Sequence, residues 1–164
     1  MKIIEVQTPA EMEKIKELFR EYYKFLAREH GLDISYQGIE DEVANLPGKY
    51  ATPKGRLLLA IEANHAIGCA ALRPIDEQVC ELKRMYVLPQ YREHGVGRTL
   101  AQTLIEDARQ IGYHLMRLDT GNFLISAIKL YKSLGFKQIE PYSEVPEEIR
   151  KIAIFMELDL GSSH

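Results

Sequence analysis

The chain has 164 residues, of which 46% are hydrophobic and 27% charged, and its formal net charge is −3. This composition is typical of a soluble globular domain, and the length is sufficient for one sizeable core. The weak negative charge gives no electrostatic case for nucleic-acid binding, and no apolar segment approaches the roughly 20 residues that span a membrane. The N-terminus lacks the apolar core of a signal peptide. We therefore expect a cytoplasmic protein with neither a nucleic-acid nor a membrane partner.

The first third of the chain is predicted to be mainly helical. A short strand covers Lys2–Val6, and a helix begins after Thr8, which serves as N-cap with Glu11 three residues on. Apolar residues then recur at helical spacing until Gly31 ends the helix. A loop leads to a second, shorter helix from Ile39 to about Leu46.

Three apolar strands joined by short connections follow: Arg56–Glu62, Ala66–Ile75 and Val79–Val87. Consecutive strands with short turns predict an antiparallel meander. If the last two strands form a hairpin closed near residues 76–78, Cys80 lies opposite Pro74. Cys69 is then roughly 17 Å away along the strand, which is too far for a disulfide.

The rest of the chain alternates between helix and strand. The predicted elements are a helix from Arg98 to Gly112, a strand His114–Thr120, a helix that ends at Gly135 and a strand Lys151–Leu160. This order predicts a mixed α/β (α+β) fold with one domain over residues 1–160. Residues 161–164 are predicted to form a frayed tail.

The most informative stretch joins the third strand of the meander to the next helix. Gly95 and Gly97 precede that helix, whose first N–H groups lack partners and carry partial positive charge. Together with Arg92 and Arg98, this layout favours binding of a phosphate or pyrophosphate. A Walker loop would need lysine where Arg98 stands, and a dinucleotide fingerprint would need a third glycine. On the glycines alone, an ordinary turn before a helix is the favoured interpretation.

Two motifs change this interpretation. Residues 92–97, Arg-Glu-His-Gly-Val-Gly, match the Arg/Gln-x-x-Gly-x-Gly signature of the GNAT-family N-acetyltransferases. Residues 127–136, Ala-Ile-Lys-Leu-Tyr-Lys-Ser-Leu-Gly-Phe, resemble the family's Ala-x-x-Leu-Tyr-x-x-x-Gly-Phe motif. The order and separation of the motifs also fit, and the close resemblance extends from about Gly68 to Phe136. Two coordinated motifs are far more specific than one glycine loop.

The resemblance implies a fold and a cosubstrate. It implies a mostly antiparallel, splayed central sheet with helices on both faces, and acetyl-CoA entering where two strands part. Backbone groups of Met85 and Val87 would bind the pantetheine arm as an added strand, and one of these N–H groups would polarise the thioester carbonyl. Where many relatives carry a cofactor-binding Asn, this chain has Leu124. The implied cofactor-binding residues, with the nearby Asn122 added, are Met85, Tyr86, Val87, Arg92, Glu93, His94, Gly95, Val96, Gly97, Arg98 and Asn122.

Two residues are implied to carry the chemistry. A lysine-like amine has a pKa of about 10.4 and must lose a proton, for which a carboxylate is a suitable base. Glu81 falls where the histone-acetylating branch of the family carries a catalytic glutamate; the alternative is a charged strand residue paired with Lys83 or Arg84. Tyr131 falls where many relatives carry a general acid, which would protonate the leaving sulfur. The alternative for Tyr131 is an ordinary helix tyrosine.

The acceptor is less constrained. In the family, the region between the first and second strands forms much of the acceptor wall, so Asp33, Tyr36, Glu40 and Tyr50 are candidate substrate-binding residues. Each is equally well explained as a solvated loop residue. The acidic balance and these carboxylates favour a cationic acceptor. No spacing of His, Cys, Asp or Glu suggests a metal site.

Three functional hypotheses follow. The first is an enzyme that moves an acetyl group from acetyl-CoA to a primary amine of a small molecule or protein. The second is a non-catalytic acyl-CoA-binding sensor of the same fold. The third is a different nucleotide-binding α/β domain. The sequence leaves open the identity of the acceptor, the acyl-chain preference and whether the chain forms a homodimer.

Overall fold

A computed structural model of the chain describes residues 1–31 and 36–161, apart from the side chains of residues 36 and 37. The strands are β1 (Lys2–Glu5), β2 (Arg56–Glu62), β3 (His65–Pro74), β4 (Val79–Val87), β5 (Leu115–Gly121), β6 (Lys137–Ile139) and β7 (Ala153–Asp159). The helices are α1 (Pro9–His30), α2 (Tyr36–Ala44), α3 (Val96–Ile111), α4 (Ile125–Ser133) and α5 (Glu147–Arg150). Short 3-10 turns cover Gly48–Tyr50 and Pro89–Tyr91.

The strands form one mixed sheet in the order β1-β2-β3-β4-β5-β7-β6. All neighbouring pairs are antiparallel except β4 and β5. This arrangement confirms the predicted mostly antiparallel sheet and the predicted meander of β2, β3 and β4. β7 lies between β5 and β6, so the last strand of the chain is internal to the sheet.

The parallel pair β4 and β5 is short. It consists of Val79 with Leu115, Cys80 with Met116 and Glu81 with Arg117. Beyond these residues β4 continues along β3 and β5 continues along β7, so the two strands part. The sheet is therefore splayed at its centre, and one edge of β4 faces a gap.

Both faces of the sheet are covered. On one face α3 packs against residues such as Leu58, Leu72 and Met116. On the other face α1 and α2 pack against Leu57 and Leu59, among others. Neighbouring leucines of β2 thus point to opposite sides, as the two-residue period of a strand requires. Burying each of these side chains stabilises the fold by about 1.5–3 kcal/mol.

The predicted ends of the first helix are confirmed. Thr8 and Glu11 form a reciprocal capping box, and Gly31 ends the helix with a φ of 61°. α2 begins and ends earlier than predicted, at Tyr36 and Ala44. β6 and α5 have only three and four residues, too few for a periodic pattern in the sequence to indicate them.

The two cysteines lie where the predicted hairpin places them. Cys80 pairs with Pro74 across β3 and β4, and both cysteines are free and buried. Burial raises the pKa of each thiol to about 12, so both stay protonated at neutral pH. Of the predicted tail, residues 162–164 lie outside the described residues.

Candidate functional site

A bulge in β4 shapes one wall of the gap. Cys69 and Ala71 of β3 pair with Tyr86 and Lys83, so three residue steps on β4 oppose two on β3. The extra residue gives Arg84 a φ of 57°, which is rare for a residue other than glycine. Because of the bulge, Arg84 reaches the face covered by α1 and α2.

Beyond the bulge, the exposed edge of β4 offers backbone groups to the gap. The N–H of Leu88 donates to the carbonyl of Ile67 at 2.9 Å. Since hydrogen-bonding directions alternate along an antiparallel strand, the N–H and C=O groups of Val87 and Met85 point away from β3. These are the two residues expected to pair with a pantetheine arm.

The glycine loop leaves a row of backbone donors without acceptors. The N–H groups of residues 93–98 donate to no described residue, and the first amide bonded into the helix is that of Thr99, 3.0 Å from the carbonyl of Gly95. Glu93 and Gly95 have φ values of 67° and 82°. A Cβ on Gly95 would meet no atom within 4 Å. Consecutive free amides and the α3 dipole give this loop the properties of an anion site.

The two arginines of the loop are held by the protein. Nε of Arg92 donates to the carbonyl of Val87 at 2.9 Å, and its guanidinium lies 4.7 Å from the centre of the Phe25 ring. A guanidinium nitrogen of Arg98 donates to Oγ of Ser133 at 2.7 Å, which links α3 to α4. Both arginines add positive charge near the loop. Arg92 also holds the end of β4, and Arg98 holds α4.

Tyr131 lies in the gap. Its side chain is only 4% exposed, and it lines the gap together with Met85 and Asp119. Its hydroxyl bonds to no described residue. Since no fully buried side-chain oxygen lacks a partner in the described part of the chain, this hydroxyl must be reached from the gap. Burial raises the pKa of the phenol above its ordinary value, so the group holds its proton at neutral pH.

Glu81 is placed differently. It is 3% exposed and accepts from Nε of Arg73 and from the hydroxyl of Tyr142, each at 2.6 Å. Nζ of Lys83 lies 4.0 Å away. Burial alone would raise the pKa of this carboxyl, but Lys83 and the two hydrogen-bond donors outweigh burial and lower it. Glu81 is not among the residues that line the gap.

Sequence reasoning missed the carboxylate that does line the gap. Asp119 stands on β5 just beyond the paired segment, opposite β4. Its Oδ1 lies 3.6 Å from Nζ of Lys83, so the two side chains bridge the gap. The sequence signal that could have identified Asp119 was its position, because it is the last but one residue of a predicted strand that comes shortly before the helix that carries Tyr131.

The sequence of this chain is similar to those of known proteins. The profile of the Acetyltransferase (GNAT) family matches residues 12–136. An uncharacterized N-acetyltransferase from Schizosaccharomyces pombe is 39% identical over 143 residues, which cover 86% of this chain and 85% of that protein. The chain belongs to the GNAT acetyltransferase family.

Solved structures share the fold. A GNAT-family acetyltransferase from Staphylococcus aureus superposes with a TM-score of 0.80 at 22% identity, covering 98% of this chain and 99% of that one. The Salmonella typhimurium yncA structure contains its cofactor acetyl-CoA. It superposes with a TM-score of 0.75 at 22% identity, and the match covers 100% of this chain and 96% of that one. By its family, the chain is classed with the acetyl-CoA-dependent N-acetyltransferases.

The residues of this GNAT chain fit acetyl-CoA. The free amides of residues 93–98 suit a diphosphate, and the space beside Gly95 is open. The outer edge of β4 suits an extended arm, and the gap beyond Glu81 leads to Tyr131. Asn122 is exposed in the turn before α4, and its backbone N–H donates to Ile152. Leu124, where many relatives carry the Asn, lines the gap.

The predicted acceptor residues are spread around the face covered by α1 and α2. Glu40 pairs with Arg20 at 3.2 Å. Tyr50 is 1% exposed and donates from its hydroxyl to Glu42 at 3.0 Å. Asp33 and the side chain of Tyr36 lie outside the described residues.

In the part of the chain that the structure describes, no group of three or more His, Cys, Asp and Glu side chains is arranged to hold a metal ion. None of the helices in this part of the chain has both the length and the apolar character needed to cross a bilayer.

Proposed function

We propose that this protein transfers the acetyl group of acetyl-CoA to a primary amine of a small-molecule or protein acceptor. The observation that carries the proposal is the hydroxyl of Tyr131, which is buried, without a described partner and accessible from the gap between β4 and β5. The alternative within the same family is a sensor that binds acyl-CoA without turnover.

In this proposal the glycine loop and the free edge of β4 bind acetyl-CoA. The amides of residues 93–98 hold the diphosphate, and the N–H and C=O groups of Met85 and the N–H of Val87 pair with the arm that follows. The carbonyl of Val87 already accepts a hydrogen bond from Arg92. Acetyl-CoA supplies the acetyl group as a thioester. An N–H of the β4 edge donates to the thioester carbonyl and stabilises the negative charge that develops there.

Tyr131 supplies a proton. In the reaction one C–S bond breaks and one C–N bond forms, the amine loses a proton and the departing sulfur gains one. The phenol is protonated at neutral pH because its pKa is raised, and it donates this proton, or a hydrogen bond, to the sulfur.

Two carboxylates are candidates for receiving the proton of the amine. Asp119 faces the gap, so we assign to it the hydrogen bond that orients the amine. Glu81, the base predicted from the sequence, is held by Arg73 and Tyr142 and would act through water. Comparison of Asp119→Asn with Glu81→Gln tests this assignment, and the base is the residue whose loss removes the acidic limb of the pH–kcat profile.

The proposed function is tested by release of coenzyme A thiol from acetyl-CoA in the presence of a panel of amines, peptides and antibiotics. We expect Tyr131→Phe to lower kcat 10²–10⁴-fold, the usual contribution of a general acid, while the Kd for coenzyme A stays within about twofold. Tyr113→Phe is the matched control, because its hydroxyl donates to the carbonyl of Lys54, away from the gap.

The outcomes separate the two functions. Acceptor-dependent release that collapses in Tyr131→Phe alone supports the enzyme. Tight coenzyme A binding without acceptor-dependent release supports the sensor. A cytoplasmic location, a single domain over residues 1–160 and dimerisation stay predictions.

A further inference from the structure

Seven charged side chains surround the middle of β4 on the face covered by α1 and α2. We call them the acceptor-side network: Glu42, Lys49, Arg73, Glu81, Lys83, Arg84 and Asp119. Ion pairs join them into two groups, one around Glu42 and one around Glu81 and Asp119. Lys83, Arg84 and Asp119 also line the gap that holds Tyr131.

The charges of this network do not balance. Within the described residues it contains four cations and three carboxylates, so one positive charge is in excess. Two of the four cations, Lys83 and Arg84, line the gap, where an acceptor must place its amine next to Tyr131. The acidic composition of the chain favours a cationic acceptor, whereas the excess positive charge of this network favours an acceptor that carries a negative charge.

The cations differ in availability. Arg84 is fully engaged: Nε and a terminal nitrogen each lie 2.9 Å from a Glu42 oxygen, and the guanidinium stacks 5.1 Å from the centre of the Tyr23 ring. Its side chain is 17% exposed, whereas that of Lys49 is 45% exposed. Among the residues that the structure describes, Glu42 is the carboxylate paired with Nζ of Lys49, at the longer distance of 3.6 Å.

The pKa of Lys49 supports this description. It is lowered first by burial and then by the positive charge of Arg84, with smaller effects of Lys83 and Arg73, whereas the Glu42 carboxylate raises it. A neighbouring anion would relieve this repulsion. The side chain is therefore placed to gain from an anionic ligand.

From these contacts we infer that the acceptor is an amine that also carries a carboxylate, as a free amino acid does, and that Lys49 and Lys83 bind this carboxylate. A single excess positive charge matches the single negative charge of a carboxylate better than the double charge of a phosphate. Asp119, bridged to Lys83 at 3.6 Å, lies on the opposite side of the gap and accepts a hydrogen bond from the uncharged, reactive amine. This inference rests on the proposed acetyltransferase function and adds the class of its substrate.

The experiment compares pairs of acceptors that differ only in the carboxylate. Each L-amino acid, together with β-alanine and a set of dipeptides, is assayed by thiol release beside its carboxamide. Removing the carboxylate makes the amine less basic and leaves more of it unprotonated, so the carboxamides have the chemical advantage. We expect the free acid nevertheless to be preferred at least tenfold in kcat/KM in the pairs that react.

Variants locate the preference. Lys49→Met should lower kcat/KM for the free acid about tenfold and leave the carboxamide and the Kd for coenzyme A unchanged. Lys54→Met is the matched control, because Lys54 is an exposed lysine in the same loop, and it should preserve the preference.

Binding is measured in parallel, by calorimetric titration of the same pairs into the complex of the protein with coenzyme A. Equal or better use of carboxamides, or an equal effect of Lys49→Met on both members of a pair, would overturn the inference while leaving the transferase intact. Acid-selective binding without thiol release would uphold the subsite and overturn the transferase. Neither release nor acid-selective binding in any pair would overturn both.

Discussion

Glu81 shows how a residue with one predicted role acquires another set of contacts in three dimensions. Its carboxylate is almost completely buried and accepts hydrogen bonds from Arg73 and Tyr142, with Lys83 also close. A buried carboxylate is costly unless it is paired, and these partners compensate the cost. Glu81 therefore ties β3, β4 and the segment before α5 together, whatever its part in proton transfer.

We expect Glu81→Gln to lower the free energy of unfolding at pH 7 by about 3 kcal/mol, the usual effect of removing one partner of a buried ion pair. Glu157→Gln is the matched control on the same sheet. Glu157 pairs with Arg117 at 2.8 Å, but its side chain is 26% exposed, so the loss should be below about 1 kcal/mol. Urea denaturation measures both, and equal losses would contradict the stabilising role of Glu81.

The buried carboxylate of Glu81 also makes the stability of the fold depend on pH. The pKa of Glu81 in the folded protein is lowered from its ordinary value of 4.5. Its contribution is therefore fully present above about pH 4.5 and is lost as the pH falls through the lower, folded-state pKa. Urea denaturation between pH 7 and pH 3 should show a shallower acid loss for Glu81→Gln than for the wild type. Parallel profiles would show that Glu81 does not contribute to acid sensitivity.

At the scale of elements, α3 connects the phosphate-binding loop to the core. Its inner face packs Leu100, Leu104 and Ala108 against the sheet, while glycines with positive φ stand at both ends. A Cβ on Gly68 of β3 would come within 3.3 Å of Val96 and Leu100, so helix and strand are already in close contact. This packing holds the first turn of α3, and hence its free amides, in one position.

The two end glycines of α3 allow a matched test. Gly95 and Gly112 have φ values of 82° and 111°, and a Cβ would meet no atom at either position. Alanine should therefore destabilise the fold at each site by about 1–2 kcal/mol, the cost of the left-handed conformation. Only Gly95→Ala should also weaken coenzyme A binding, by about tenfold, because its methyl group would lie in the loop that receives the diphosphate. Calorimetric titration distinguishes the variants, and an equal change in Kd for both would contradict the site.

At the scale of the whole molecule, the sheet consists of two parts that meet at the short parallel pairing of β4 with β5. The side chains of Glu81, Lys83 and Asp119 add bridges across this junction. A ligand that pairs with β4 and contacts α4 would fill the gap. Its binding energy would then add to the stability of the folded state.

Coenzyme A at one hundred times its Kd should stabilise the protein by about 2.7 kcal/mol, which corresponds to a rise in Tm of roughly 5–10 °C for a chain of this size. Thermal denaturation followed by circular dichroism measures the shift, and adenosine monophosphate at the same molar concentration serves as a control ligand without the pantetheine arm. An equal shift with the control would mean that the arm does not bind along β4.

Sequence reasoning succeeded where short-range rules decide the structure. Thr8 and Gly31 bound α1 because capping depends on a few neighbouring residues. The bounds of β2 and β4 agree with their apolar runs, and the motif around Tyr131 predicted a residue that lines the gap. The predicted bounds of α2 differ from those in the structure, and β6 was not predicted. Such short elements depend on the surfaces against which they pack.

The amino-acid sequence by itself determined the family, the order of the main elements and the glycine loop, because these follow from local patterns and from two motifs at fixed separation. Only the tertiary structure decided which charges meet. The bulge at Arg84 brings that residue to Glu42, 42 positions away, and the parting of β4 from β5 exposes Asp119 while Glu81 stays buried. Such contacts join distant segments, and their energies depend on burial and distance, which no local pattern contains.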